Sequence, residues 1–263
     1  MSRAEIGAHG LAGRLDARAV APAALGGATI LAQIAYPLVS GEPRNVLTVV
    51  TVLLFFAASV THALLRRGVR FAVTLVAVTA GGGLLVEAFG VRTGFPFGGY
   101  AYAGTLGWRL LGVPVVIPLA WTMMAYPALL VARRVTAARV AGPLVAGWAL
   151  ASWDLFLDPQ MVQAGHWVWE TDGAYLGIPV SNFLGWYVTA AVMMALLWRL
   201  PVHPGRRVNH DRVPYALYLW TYGSSVLGHA VFFGNPLVAL VGGLGMGVVV
   251  LPFVRALRRP AGP

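Results

Sequence analysis

The stretch Val46–Leu65, which reads VLTVVTVLLFFAASVTHALL, sets the fold class of this chain. It contains no Asp, Glu, Lys or Arg over twenty consecutive residues. A helix needs about 20 predominantly apolar residues to cross the hydrocarbon core of a bilayer. The stretch therefore predicts a membrane-spanning α-helix.

Further apolar stretches of similar length lie on both sides of it. Together they predict an all-α fold, a polytopic membrane helical bundle of about eight transmembrane helices. Nothing indicates a second domain, so residues 1–263 are expected to form a single integral membrane domain. The predicted spans are approximately 21–39, 46–65, 71–90, 113–132, 140–158, 178–198, 213–232 and 236–254.

The arginines predict the orientation of the bundle. Sixteen of the nineteen lie in the N-terminal segment 1–20, in the tail 255–263, or in the connections after the second, fourth and sixth spans. The remaining three are Arg44, Arg92 and Arg109. Because basic residues are enriched in cytoplasmic connections, both termini are expected to be cytoplasmic. We therefore expect a multi-pass protein of the cell membrane.

The composition excludes several classes of protein. All nineteen basic residues are Arg, and without Lys the chain cannot form the Schiff base of a retinal-binding photoreceptor. Without Cys it has no disulfide, thiolate metal site or iron–sulfur cluster. No two His have metal-ligand spacing such as HxxxH, so no metal site is expected. The net charge of +10 follows the membrane topology, so no nucleic-acid partner is expected.

Three carboxylic acids stand where membrane helices are predicted. Glu87 interrupts the apolar run Ala80–Phe89, and Asp154 and Asp158 lie four residues apart at the end of another run. Pro159 is expected to end that helix near Asp158. A carboxyl group at bilayer depth costs roughly 2.5–3.5 kcal/mol on insertion scales, so it indicates a functional site.

Each acid also has a structural interpretation. Asp154 and Asp158 could be hydrated carboxylates at an interfacial helix end, and Glu87 could be hydrogen-bonded to another helix. If the aspartates instead point into the bundle, their i,i+4 spacing puts them on one helix face. Two carboxylates so close cannot easily both ionise, so one would retain a proton and could act as a general acid.

Several motifs together resemble a known family, the integral-membrane carotenoid biosynthesis proteins of the CruF type. This family includes the bisanhydrobacterioruberin hydratases and the γ-carotene 1′-hydratases. The resemblance runs from about residue 80 to residue 190. The motifs that carry it are Glu87–Tyr100, Pro118–Trp121, Asp154–Gln160, Trp167–Trp169 and Gly177–Trp186.

The resemblance implies a hydro-lyase that adds water to a terminal isopropylidene C=C of a carotenoid by acid catalysis, without a cofactor. The chemistry then favours Asp154 as proton donor. Asp158 or Glu87 would tune the acidity of Asp154 or activate water. Tyr100 and Asn182 are expected to contact water or to orient these groups. Aromatic faces can line a polyene site and stabilise a carbocation. The expected aromatic residues are Trp121, Trp153, Trp167, Trp169 and Trp186.

Other interpretations remain open from the sequence. For each Trp, an interfacial belt or core packing is the ordinary explanation. A membrane prenyltransferase such as a lycopene elongase would use the acids to bind Mg²⁺-diphosphate. A non-catalytic carotenoid-binding or transport protein would use a carboxylate as a proton relay. The expected partners are a carotenoid, membrane lipids and other carotenoid biosynthesis enzymes.

The predicted topology can be tested with reporter fusions. Fusions at Arg67, Arg134 and Arg207 should report a cytoplasmic location, because these residues lie in arginine-rich connections. Fusions at Gly104 and Gly173 should report an external location. With this topology the three acids are expected near the outer ends of their helices. A cytoplasmic signal from the fusion at Gly173 would contradict both the span count and this outward position of the acids.

Overall fold

The computed structural model describes residues 17–170, 172–201 and 208–258. Residues 1–16 and 259–263 of the predicted cytoplasmic segments, and Arg207, lie outside these ranges. The helices are α1 (Ala17–Ala35), α2 (Glu42–Arg67), α3 (Val69–Val76), α4 (Gly82–Thr93), α5 (Val116–Val135), α6 (Ala141–Ala151), α7 (Asp154–Gln163), α8 (Val180–Trp198), α9 (Arg212–Leu227) and α10 (Pro236–Arg258). The strands are β1 (Tyr100–Tyr102), β2 (Arg109–Leu110), β3 (Val113–Pro114) and β4 (Trp167–Trp169).

The fold is an all-α membrane helical bundle, which confirms the predicted fold class. By length and composition, six helical segments of the described part of the chain could cross a membrane. These segments are Val20–Leu38, Glu42–Arg67, Val69–Thr93, Val116–Val135, Val180–Trp198 and Pro236–Arg258. The count of eight spans and the cytoplasmic position of both termini remain predictions.

The other two predicted spans, 140–158 and 213–232, are helical but irregular. A turn at Ser152 and Trp153 separates α6 from α7, so the segment 140–158 is not one continuous helix. Helix α9 continues as a π-helical turn, Gly228–Phe232. A similar π turn, Ala77–Gly81, joins α3 to α4. Such π turns are frequent at functional sites, and this one lies on the helix that carries Glu87.

The prediction that Pro159 ends a helix near Asp158 is wrong. Helix α7 begins at Asp154 and continues through Pro159 to Gln163. Proline has no N–H, so the Leu155 carbonyl four residues earlier loses its helical donor. The Tyr175 hydroxyl donates to that carbonyl instead, at 3.0 Å. A partner from the following loop therefore replaces the missing bond and lets the helix continue.

Helix α5 lies at the centre of the bundle. In its most apolar window 89% of the residues are buried, compared with 28% for the segment Val69–Thr93. It hydrogen-bonds to neighbouring helices along its length. Thr122 contacts Thr79 at 2.7 Å, and the Tyr126 hydroxyl contacts His62 at 2.9 Å. Interhelical hydrogen bonds in membranes are worth about 0.6 kcal/mol on average, so they orient α5 more than they stabilise it.

The arginine-rich segments meet at one end of the bundle. Arg133 donates to the Leu197 and Trp198 carbonyls in the last turn of α8 and to the Leu200 carbonyl just beyond it. Arg134 donates to the Ala256 carbonyl of α10. Cations at helix C-termini satisfy the last carbonyls and interact favourably with the helix dipole. The loops that contain β1 and β4 lie at the opposite end, beside the acids.

Close approach of α6 and α8 depends on Gly147. A Cβ atom added at this position would lie 2.7 Å from the Ala191 Cα, which is backbone and cannot move aside cheaply. We expect Gly147→Val to destabilise the fold by about 1–3 kcal/mol, the usual cost of overpacking. The measurement is the thermal unfolding midpoint in detergent. Gly223→Val is the matched control, because nothing lies within 4 Å of a Cβ there; an equal effect of both changes would contradict the prediction.

Candidate active site

The three predicted acids come together at the end of the bundle opposite the arginine-rich segments. Glu87 lies on α4, and Asp154 and Asp158 lie on α7. Glu87 and Asp158 are each 2% exposed, and Asp154 is fully buried. Buried carboxyl groups need hydrogen-bond partners, so their neighbours define the site.

Glu87 is held by three donors. The Tyr100 and Tyr102 hydroxyls donate to its Oε2 at 2.5 and 2.8 Å, and the Trp121 indole N–H donates to its Oε1 at 3.1 Å. Burial raises the pKa of Tyr100 and of Tyr102 above the usual phenol value, and the charge of Glu87 raises both further. Both phenols therefore stay protonated, and each donates a hydrogen bond to Glu87. Both oxygens of Glu87 are occupied, so this carboxyl is fixed in place.

The two aspartates are bridged by Asn182, in the first turn of α8. Its amide N–H₂ donates to Asp154 Oδ2 at 3.1 Å and also to Asp158 Oδ2. The other oxygen of Asp154, Oδ1, is buried and receives no hydrogen bond from an N–H or O–H donor. The two carboxyl groups lie within hydrogen-bonding reach of each other, so they can share one proton.

A pair of short strands places four aromatic side chains over the acids. Strands β1 and β4 are antiparallel, with Tyr100 opposite Trp169 and Tyr102 opposite Trp167. Alternate residues of a strand point to the same face, so these four rings share one side of the strand pair. Tyr100 stacks on Trp169 with ring centroids 5.7 Å apart, and Tyr102 meets Trp167 edge-on at 5.7 Å. The sheet thus builds an aromatic wall from two separate loops.

A second aromatic pair lies between α5 and α8. Trp121 and Trp186 stack with ring centroids 4.0 Å apart and an angle of 9° between their planes. Gly83 on α4 leaves room for this arrangement, because a Cβ there would lie 2.8 Å from the Trp121 ring. The absence of a side chain at Gly83 thus lets an indole ring pack directly against the helix that carries Glu87.

Most of the predicted site residues surround one small cavity of about 30 Å³. Asp154 and Trp121 do not line it but hydrogen-bond to residues that do. The Trp167 N–H approaches Asp158 without reaching hydrogen-bond geometry. The residues that line this small cavity are Glu87, Phe97, Tyr100, Tyr102, Ile117, Ala120, Leu157, Asp158, Trp167, Trp169, Asn182 and Trp186.

A large cavity of about 160 Å³ lies next to it. Its wall is mostly apolar and is formed by α1, α2, α5, α7 and α9 together with nearby loop residues. Trp153, predicted as a substrate contact, lines this large cavity and not the small one. Two hydroxyl groups of residues in the wall, those of Tyr36 and Thr51, are buried without a hydrogen-bond partner.

No group of three His, Asp or Glu side chains within 17–170, 172–201 and 208–258 is arranged to hold a metal ion.

Comparison with known proteins identifies the family. A family model described as carotenoid biosynthesis protein matches residues 47–253, which is most of the chain. This chain belongs to the carotenoid biosynthesis protein family. The bisanhydrobacterioruberin hydratase of Haloarcula japonica is 33% identical over 116 residues, which are 42% of this chain and 39% of that protein. The chain thus spans about two fifths of the length of this relative. No solved structure matches the chain.

Membership of the carotenoid biosynthesis protein family confirms the resemblance seen in the sequence motifs. The matched residues also extend well beyond the 80–190 region in which the motifs lie. The family assigns this membrane protein to carotenoid modification, and its bundle suits a substrate that dissolves in lipid.

Tyr102 and Phe97 belong to the site but were not predicted from the sequence. Tyr102 donates to Glu87, and both residues line the small cavity. A signal for Tyr102 was present, because Tyr-Ala-Tyr and Trp-Val-Trp alternate with the period of two that is typical of strands. Phe97 gave no comparable signal, since its position depends on the packing of the loop against Gly90 and Gly185.

Asn182 should be essential for the stability of this carotenoid biosynthesis protein. Asn182→Ala removes the amide that serves two buried carboxyl groups, and leaving a buried polar group unsatisfied costs about 1–3 kcal/mol. We expect a lower unfolding midpoint, measured by tryptophan fluorescence in detergent. Ser181→Ala, at the exposed neighbouring position, should leave the midpoint unchanged. Equal midpoints for both variants would show that the aspartates do not depend on Asn182.

Proposed function

We propose that this carotenoid biosynthesis protein is a hydratase that works in the cell membrane. It would add water to a terminal isopropylidene double bond of an acyclic or monocyclic carotenoid and give a tertiary alcohol. The observation that carries the proposal is the buried pair Asp154 and Asp158, bridged by Asn182 at the edge of a cavity of about 30 Å³. The hydratase name of the Haloarcula japonica relative supports the same reaction.

The reaction needs a proton donor, a water molecule and a way to stabilise positive charge. A proton added to the less substituted alkene carbon leaves a tertiary cation on the other carbon. Water captures that cation, and the product is a tertiary alcohol. General acid catalysis of such a step contributes typically about 10²–10⁴-fold. The reaction needs no redox change, and all three requirements can be met by side chains and water.

The aspartate pair is the proposed proton donor. The sequence alone favoured Asp154, but Asp158 lines the small cavity and Asp154 lies behind it. We therefore assign proton delivery to Asp158 and give Asp154 the role of sharing and replenishing the proton. Interacting carboxyl groups titrate as a unit, so the pair and not one residue is the acid.

The aromatic wall, together with Trp186 on α8, would stabilise the cation. Tyr100, Trp169 and Trp186 line the same cavity as Asp158. A cation over an aromatic face gains about 2 kcal/mol or more when it is desolvated. Glu87 holds the two tyrosines of the aromatic wall, and Trp121 beside them, because all three side chains donate hydrogen bonds to it. In this proposal Glu87 positions the aromatic residues that would stabilise the cation.

The aspartate pair regains its proton at the end of the reaction. Asp158 gives its proton to the alkene carbon and becomes a carboxylate. The captured water then loses a proton to that carboxylate, which restores the protonated pair. One water is consumed for each double bond, and the protein ends in its starting state.

The function is tested by expressing the gene in cells that accumulate a carotenoid with isopropylidene ends. The product should gain the mass of one water for each hydrated end. Asp154→Asn and Asp158→Asn should each lower the yield of alcohol by about 10²–10⁴-fold, because an amide cannot deliver a strong-acid proton. The measurement is the ratio of alcohol to unreacted carotenoid by chromatography and mass spectrometry.

The control is Asp172→Asn, which removes an exposed acid from the loop after β4 and should leave the yield unchanged. A gain of five carbons instead of water would indicate prenyl transfer. If both aspartate variants kept normal yield, the acid pair would be structural. If only Glu87→Gln abolished the alcohol, the proton donor would be Glu87.

A further inference from the structure

The indole N–H of Trp167 is a buried donor without an acceptor. Trp167 is 6% exposed, and its Nε1 atom has no hydrogen-bond partner. Two other indoles of the candidate site are satisfied, because Trp121 donates to Glu87 and Trp169 donates to the Phe97 carbonyl, each at 3.1 Å. The large majority of buried polar side-chain atoms in proteins are hydrogen-bonded. An orphaned donor in the middle of the site therefore needs an explanation.

Asp158 is the acceptor that this donor faces. Both residues line the small cavity, and the Trp167 N–H approaches the Asp158 carboxyl without reaching hydrogen-bond geometry. Asp158 already accepts a hydrogen bond from the Asn182 amide through its Oδ2 atom. The structure thus holds a second donor just short of the acid that the proposed reaction uses.

The loop around β4 fixes the position of the indole. The Trp167 ring meets Tyr102 edge-on across the strand pair. The backbone of His166, directly before it, is tied on two sides. Its N–H donates to the Met161 carbonyl of α7 at 2.9 Å, and its carbonyl accepts from the Ala103 N–H at 2.8 Å. A donor held in this way needs little reorganisation when charge develops in front of it.

The titratable groups that face Asp158 cannot neutralise a carboxylate. Within the described ranges, these groups are Asp154 on α7, Glu87 on α4 and the tyrosines of β1, Tyr100 and Tyr102. All four are acids, so none of them supplies positive charge. When Asp158 loses its proton, neutral N–H donors are therefore what these surroundings offer to the new charge.

We propose that Trp167 is a positioning residue whose indole N–H donates a hydrogen bond to the Asp158 carboxylate once the proton has left. This inference rests on the proposed hydratase function. The Asp158 O–H bond breaks as a C–H bond forms at the alkene, and the electrons of the O–H bond stay on the carboxylate oxygen. The indole keeps its own proton throughout. The captured water then returns a proton to Asp158, and the site regains its starting state.

Such a hydrogen bond favours the reaction because it forms only as the charge develops. Interactions that are stronger in the transition state than in the ground state are the ones that accelerate the chemical step. Donation to an ionised group is also about twice as strong as donation to a neutral one. The Trp167 N–H has no partner in the structure and gains one when Asp158 ionises.

The test is Trp167→Phe, which keeps an aromatic ring and removes the N–H. On the low-pH plateau, kcat for alcohol formation by the protein in detergent should fall by about 10²-fold. This is the low end of the cost of losing one preorganised donor, because the Asn182 amide still serves Asp158. Without the indole donor the carboxylate is less stable, so Asp158 keeps its proton to higher pH. Activity requires that proton, so the alkaline limb of the kcat–pH profile should move to higher pH.

A double-mutant cycle checks that the effect passes through Asp158. In the Asp158→Asn background Trp167→Phe should cause little further loss of activity, because no carboxylate forms there. An equal loss in both backgrounds would overturn the proposal. If Trp167→Phe fails to fold, Trp167→Met takes its place with the same expectations, because Met fills irregular gaps and has no N–H.

The matched control is Trp148→Phe on α6. The Trp148 N–H donates to the Gly245 carbonyl at 2.8 Å, and this residue lines neither cavity. The control should lower the unfolding midpoint and leave kcat and its pH profile unchanged, whereas Trp167→Phe loses no hydrogen bond and should leave the midpoint nearly unchanged. A normal kcat in Trp167→Phe, or a lower kcat with an unmoved alkaline limb, would overturn the role of the N–H. If the wild type forms no alcohol at all, the hydratase function itself fails.

Discussion

The site depends on the need to satisfy a carboxyl group that is buried inside a membrane bundle. Glu87 meets this need with three donors from two different parts of the chain, α5 and the loop that contains β1. These hydrogen bonds fix Trp121 and both tyrosines, and the tyrosines in turn fix the rings of β4 that pack against them. Without Glu87 the aromatic wall would lose its common anchor. A buried carboxyl group that needs hydrogen-bond donors thus organises the surrounding loops.

Much of the site could be predicted from the sequence, because a charged residue inside an apolar run stands out without any tertiary information. Glu87, Asp154 and Asp158 were found in this way, and their convergence with Tyr100 and Asn182 followed from the motifs. The two cavities could not be predicted. They depend on the distances between α5, α7 and β4, and apolar residues in an apolar run carry no signal of their own.

The wrong prediction that Pro159 ends α7 has a similar physical cause, because the outcome depends on a contact that the local sequence does not show. Proline normally ends or kinks a helix, and the local sequence offers no reason to expect otherwise. The helix continues because Tyr175, from a loop twenty residues after Leu155, donates to the Leu155 carbonyl. The break falls instead at Ser152 and Trp153, directly before Asp154. Asp154 therefore lies in the first turn of α7.

The pairing of β1 with β4 also has a consequence for how substrate and product move. The strand pair joins the loop after α4 to the loop after α7, and its buried face carries rings that pack over the acids. A polyene that passed between β1 and β4 would have to break the backbone hydrogen bonds between these strands. Exchange between helices, directly with the surrounding lipid, avoids that cost. In the proposed reaction the long hydrocarbon then never has to leave the membrane, and only one end of it needs to meet water.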